Sequence, residues 1–188
     1  RTRLAGEEWP SSTYVLGVYH LMKVAILGQY PPDIRHLTGG VEAAIVYIQR
    51  ELIKMPDIEL HIITCKEEVP KKQVIEQDGC IVTYLPRKRM GRITWHLREV
   101  SAMISVLDDL KPDIVHAHAS GLYAGAAVAS HYPSVITVHG IVAEEAKLLR
   151  GWRNKLRGFL DVQYERWVIR RAKHLVLITP YVQHIFAD

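Results

Sequence analysis

From Met22 onward the chain alternates short runs of aliphatic and β-branched residues with longer stretches in which apolar positions return every three or four residues. The short runs KVAILGQ, ELHIITC, CIVTYL, DIVHAHA, SVITVH and HLVLIT predict strands. Between them, Val41 to Lys54 places Val41, Ala44, Ile45, Ile48 and Leu52 on one helical stripe, and Ile93 to Leu110 repeats the pattern through Leu97, Val100, Ile104 and Leu107. Pro112 and Asp113 end the second helix, Gly121 to Ser130 predicts a small-residue helix, and one long helical stretch runs from Glu144 to Lys173. Strand–helix repetition of this kind predicts an α/β fold: a doubly wound, mainly parallel sheet with helices on both faces. Such sheets bind ligands beyond the carboxyl ends of their strands, which selects Gly28 to Gly40, His116 to Gly121 and His139 to Glu145. There is no internal repeat.

Length and composition narrow this picture. The chain has 188 residues, 48% hydrophobic and 23% charged, enough for one sizeable core and too few for two ordinary domains. Residues 1 to 21 read as an extension, with a strand around Tyr14 to Tyr19 as one alternative, and residues 22 to 188 as the domain. Cys65 and Cys80 match neither a metal spacing nor a disulfide framework, so two buried thiols in a reducing, cytoplasmic compartment are expected. No apolar run approaches the roughly 18 residues a bilayer span needs. A net charge of +4 with a pI of about 9.1 points to local positive surface.

The selected segments carry candidate chemistry. The loop GQYPPDIRHLTGGVE is no GxGxxG turn, but Gly39 and Gly40 stand immediately before an amphipathic helix, where free amides and the helix dipole favour an anion. The alternative is a turn that merely starts the helix. In DIVHAHASG, period-two alternation puts His116 and His118 on one side of a strand at its carboxyl end. That suits satisfied histidines at a sheet rim better than a metal pair, since no third ligand has useful spacing; His118, nearer the cleft, stays open as a binding residue. SVITVHGIVAEE ends its strand in His139, followed by Gly140, and so projects an imidazole at the crevice rim.

Taken in order, KVAILGQYPP, the loop ending TGGVE, DIVHAHASG, TVHG and WVIRRAKHLVLITPYV resemble the N-terminal domain of the retaining group 1 glycosyltransferases known as family 4. The resemblance runs from about Met22 to Asp188. It implies the N-terminal, Rossmann-like half of a GT-B fold, a nucleotide-diphosphate sugar as donor, an acceptor sugar, lipid or other small molecule held mostly by this half, and neither cofactor nor metal. It also implies that Gly39 and Gly40 lie under the donor diphosphate with Glu42 opening the next helix. By the same resemblance, His139 contacts the transferred sugar as the catalytic residue, and Thr179 stands where the family usually has serine. The chain ends before the C-terminal nucleotide-sugar domain of such enzymes, so the fragment alone is expected to be inactive or nearly so.

Two basic clusters complete the reading. Arg87, Lys88, Arg89 and Arg92 in PRKRMGR are either a solvated surface run or contacts to an anionic acceptor or membrane. Lys147, Arg150, Arg153, Lys155 and Arg157 lie beside Trp152 and Phe159, a mixture suited to peripheral contact with the inner face of a membrane; the same helix could instead cover the core with Trp167 and Ile169 inward. No recognition-helix or RNA-binding motif accompanies the charge, so nucleic acid is not an expected partner. The alternative functions are a non-catalytic sugar- or nucleotide-binding module and half of a GT-B sugar-nucleotide epimerase.

Overall fold

The structure, a computed structural model, describes residues 21–88 and 94–186. The strand alternative at Tyr14 to Tyr19, Arg89, Arg92, the expected helix start at Ile93, and Asp188 lie outside the described residues. In chain order the elements are β1 (Met22–Leu27), α1 (Gly40–Leu52), β2 (Ile58–Lys66), β3 (Gln73–Gln77), β4 (Cys80–Pro86), α2 (Leu97–Leu110), β5 (Ile114–His118), α3 (Leu122–Ala129), β6 (Ser134–Val138), α4 (Val142–Lys147), α5 (Trp152–Ile169), β7 (Leu175–Leu177) and α6 (Pro180–Phe186).

Among the described residues the strands form one sheet in the order β3-β4-β2-β1-β5-β6-β7, parallel throughout except for the β3–β4 pair. The central strand β1 explains the doubly wound arrangement. Its alternating side chains feed two cores: Val24 and Ile26 join Ile45 and Val46 of α1 on one face, while Ala25 and Leu27 join Met103 and Leu107 of α2 and Ala124 of α3 on the other. A strand buried on both sides must be apolar at every position, which is why KVAILGQ shows no polar alternation. Cys65 and Cys80 belong to opposite cores, and burial pushes both thiols up to about 12.

Two elements depart from the sequence expectation. β3 was not expected; it pairs antiparallel with β4 through a two-residue turn in which Asp78 and Gly79 have φ of 51° and 79°. Asp-Gly is one of the few residue pairs that readily adopt positive φ twice in succession, so the turn was written in the chain. The strand was masked because only Val74 and Ile75 are apolar on this exposed edge. The expected long helix from Glu144 to Lys173 is instead two helices, α4 and α5, separated at Gly151, whose φ of 82° stops helix propagation. The two fold back on each other at Gly158, where an added Cβ would stand 2.7 Å from Leu149 Cδ1 and 3.2 Å from Ala146 Cβ.

Candidate functional site

Because β1, β5 and β6 are parallel, the loops that follow them gather at one edge of the sheet. There they enclose an open cleft of about 420 Å³, lined by Val41, Arg87, Ser120, His139, Asp161 and Tyr164 among others. Gly40 and His139 therefore open onto the same end of the strands, as the two loop readings required.

One wall is backed by a layer of imidazoles, of which His139 lines the cleft. His116 and His118 share a face of β5 with ring centroids 4.3 Å apart, and His118 stacks at 5.1 Å against His139 from the end of β6. His116 Nε2 meets Thr137 Oγ1 at 2.8 Å, the satisfied rim histidine expected of it. His118 is fully buried, so it does not face ligand; its Nδ1 lies 2.9 Å from His139 Nε2. Its other nitrogen, Nε2, is buried without a partner among the described residues. An orphaned buried N–H is rarer and costlier than an orphaned acceptor, so the His118 proton belongs on Nδ1, from which it donates to His139 Nε2. His139 must then carry its own proton on Nδ1. Burial, followed by the neighbouring imidazoles, pulls His118 down to about 3; burial also lowers His116, with His139 adding to it, and burial lowers His139. All three shifts favour the uncharged imidazole, and with this tautomer His139 offers Nδ1–H as a hydrogen-bond donor.

Behind this wall a buried carboxylate joins the helices that the sequence reading had fused. Glu165 of α5 accepts from Ser120 Oγ at 2.6 Å and from the backbone N–H groups of Val142 and Ala143 at 3.1 and 3.3 Å. It thereby caps the start of α4 from outside the helix and ties the segments after β5 and β6 to α5. Ser120 lies in a segment the sequence selected, but its pairing with Glu165 was not legible, because it spans 45 residues. Tyr164, also unforeseen, reaches the cleft by packing over Gly125 of α3, whose missing side chain makes the contact sterically possible.

Residues 38–188 match the family model described as Glycosyltransferase Family 4. The chain belongs to this family. No curated protein matches it by sequence. Among solved structures, the sucrose-phosphate synthase of Thermosynechococcus elongatus is 14% identical, with a TM-score of 0.61 over 88% of this chain and 44% of that one. A UDP-N-acetylglucosamine 2-epimerase is 16% identical, with a TM-score of 0.57 over 89% and 42%. An E. coli structure named for trehalose-6-phosphate and bound with UDP-2-fluoro glucose is 11% identical, with a TM-score of 0.53 over 88% and 42%. At these identities the likeness is one of fold, that of the GT-B glycosyltransferases, and this chain spans less than half the length of these three structures.

The remaining candidates of this family 4 domain fall at different distances from the cleft. Gly39 and Gly40 are exposed at the start of α1, and a Cβ on either would meet nothing within 4 Å. Gly39 is extended, with φ of −164°, so its backbone does not demand glycine. The glycine that packing demands is Gly28, where a Cβ would run into Ile45 of α1 and come 3.3 Å from His118 Cβ. Glu42 is buried and turned toward the loop: its Oε2 accepts from Thr38 N at 2.9 Å and Thr38 Oγ1 at 2.7 Å, and Lys66 Nζ lies 3.4 Å from Oε1. Burial opposes its ionisation, but these hydrogen bonds and the Lys66 charge prevail and lower its pKa. Thr179 caps α6 through its hydroxyl, which accepts from Val182 N at 3.2 Å, at the exposed end of β7. Of the basic loop, Arg87 lines the cleft and Lys88 is exposed beside it, its N–H bound to Glu99.

Proposed function

We propose that this chain is the acceptor-side, N-terminal half of a retaining, metal-independent glycosyltransferase that moves a sugar from a nucleotide-diphosphate donor to an acceptor in the cytoplasm. The observation that carries the reading is the convergence of His139, Arg87 and Val41, the residue after Gly40, on one cleft at the carboxyl edge of the sheet. Family membership supports it.

In this reading His139 donates from Nδ1 to a hydroxyl of the transferred sugar and orients the reacting carbon, with His118 holding the ring from behind. The free amides at the start of α1 and the Arg87 guanidinium favour the negative charge of the diphosphate. The leaving phosphate accepts the acceptor's proton on the same face of the sugar, which preserves the anomeric configuration. Positive groups must still stabilise the charge that builds on the departing diphosphate. We assign these to a second, nucleotide-sugar domain that closes the open side of the cleft; the share of the GT-B structures this chain spans supports that division. Glu42 and Thr179 serve the site by holding the loop and helix that border it. The ring nitrogens of the histidine layer bond to one another and to Thr137, an arrangement that suits hydrogen bonding better than metal ligation.

Transfer assays with a panel of nucleotide sugars test this, with the anomeric configuration of the product read by NMR. A sugar inverted at carbon 2 in the absence of any acceptor would favour the epimerase alternative, for which the likeness to the 2-epimerase structure speaks. Binding of nucleotide sugar with no turnover by the full-length protein would favour a non-catalytic module.

A further inference from the structure

The corner between α4 and α5 is built unlike the rest of the surface. From Lys147 to Leu160, fourteen residues carry five basic side chains and no acidic one. Every residue from Lys147 to Arg157 is exposed. Large apolar side chains here face outward: Leu148 is 81% exposed, Trp152 71%, Phe159 58% and Leu156 53%.

Their spacing makes one surface of them. Trp152, Leu156 and Phe159 stand at i, i+4 and i+7 of α5 and share a stripe. The residues that α5 buries, Gly158, Tyr164, Glu165 and Val168, lie on the opposite side, so nothing in the core claims the stripe. The charges around it are also uncommitted. Lys147 pairs with Glu144 at 2.6 Å, whereas among the described residues Arg150, Lys155 and Arg157 form no ion pair and Arg153 lies over the Trp152 ring at 5.3 Å. An outward apolar stripe rimmed by unpaired cations complements an anionic lipid surface: the rings and leucines enter the acyl boundary while the cations remain among the headgroup phosphates.

We propose that the α4–α5 corner is a docking surface for anionic membrane, with Leu148, Trp152, Leu156 and Phe159 as the inserted residues and Arg150, Arg153, Lys155 and Arg157 as the headgroup contacts. Asp161 and Tyr164 line the cleft from the other side of the same helix, so docking through the stripe leaves the cleft uncovered. The surface stands independently of the transfer reading, and binding is measured with no sugar donor present.

The test is co-sedimentation of the full-length protein with phosphatidylcholine vesicles and with phosphatidylcholine–phosphatidylglycerol vesicles. The expected result is binding to the second kind alone, reversed by high salt and accompanied by a blue shift of indole fluorescence that the Trp152→Phe variant lacks. Trp152→Ser with Phe159→Ser, and separately Arg153→Glu with Arg157→Glu, should each weaken binding by about tenfold or more. All four positions are exposed, so circular dichroism and melting temperature should not move. The proposal is overturned by equal binding to neutral vesicles, by undiminished binding of both variants, or by self-association that Trp152→Ser abolishes. It is equally overturned if hydrogen exchange shows the stripe already protected in the free protein, since another part of the chain then covers it.

Discussion

The two rims of the cleft are made by opposite means. On the β5–β6 rim, side chains carry the chemistry, and each is held by another: Thr137 holds His116, His118 holds His139, and Glu165 holds both Ser120 and the start of α4. On the β1 rim the backbone carries it, and side chains serve as anchors: Glu42 fastens Thr38 so that Gly39 and Gly40 stand bare in front of α1. The first rim is held by buried and half-buried side-chain hydrogen bonds; the second is exposed. Substitutions on the first should therefore act on turnover and on pH dependence, and those on the second on binding and on loop stability.

The severest test of that contrast is His139→Ala, expected to lower kcat of the full-length enzyme by about a thousandfold while leaving the melting temperature within a few degrees. Wild-type turnover in this variant would remove the imidazole rim from the chemistry. Gly40→Val comes next. A Cβ there meets no atom within 4 Å, so folding should be little affected while KM for donor rises by roughly a hundredfold, the cost of a branched side chain where backbone approaches ligand. A change in stability rather than KM would mean that the glycine is structural.

His118→Asn should cost about tenfold in kcat with KM little changed, by releasing the His139 tautomer, which ¹⁵N shifts of the ring nitrogens would report directly. The same variant tests an acid response. Below pH 6.5 the unfolded chain protonates this imidazole while the folded chain resists protonation until about 3. Stability should thus be complete above 6.5 and fall as pH drops, by about 1.4 kcal/mol per pH unit for each histidine kept neutral. Chemical denaturation across that window should show a shallower fall in His118→Asn. Glu42→Ala should have the smallest effect, about 1–2 kcal/mol of stability from the freed Thr38 and Lys66, with kcat nearly unchanged.

Legibility in the sequence followed the range of the interactions. The strand runs around β1, β2, β4 and β6 were readable because burial on both faces forces mainly apolar runs, and that around β5 through its alternation. The shared edge of Gly40 and His139 was readable because parallel strands send all their following loops the same way. His118 was readable as a residue of interest but not in its place, since alternation gives a face and not a depth. Only the stacking of β6 beside β5 puts it fully behind His139. The long helix was misread for the same reason: its apolar periodicity continues across Gly151, and the fold-back at Gly158 depends on what α4 packs against.

What the chain's own order determined, then, is a twisted parallel sheet with its ligand loops on one edge, because periodicity and crossover handedness are local properties repeated along the backbone. Only the tertiary structure decided which of those loop residues face the cleft and which stand behind it, and in what protonation state. Burial, tautomer and pKa depend on groups that arrive from other segments, as when Thr137 meets His116 and His139 meets His118 across β5 and β6. Their effect exists only once water has been excluded between them.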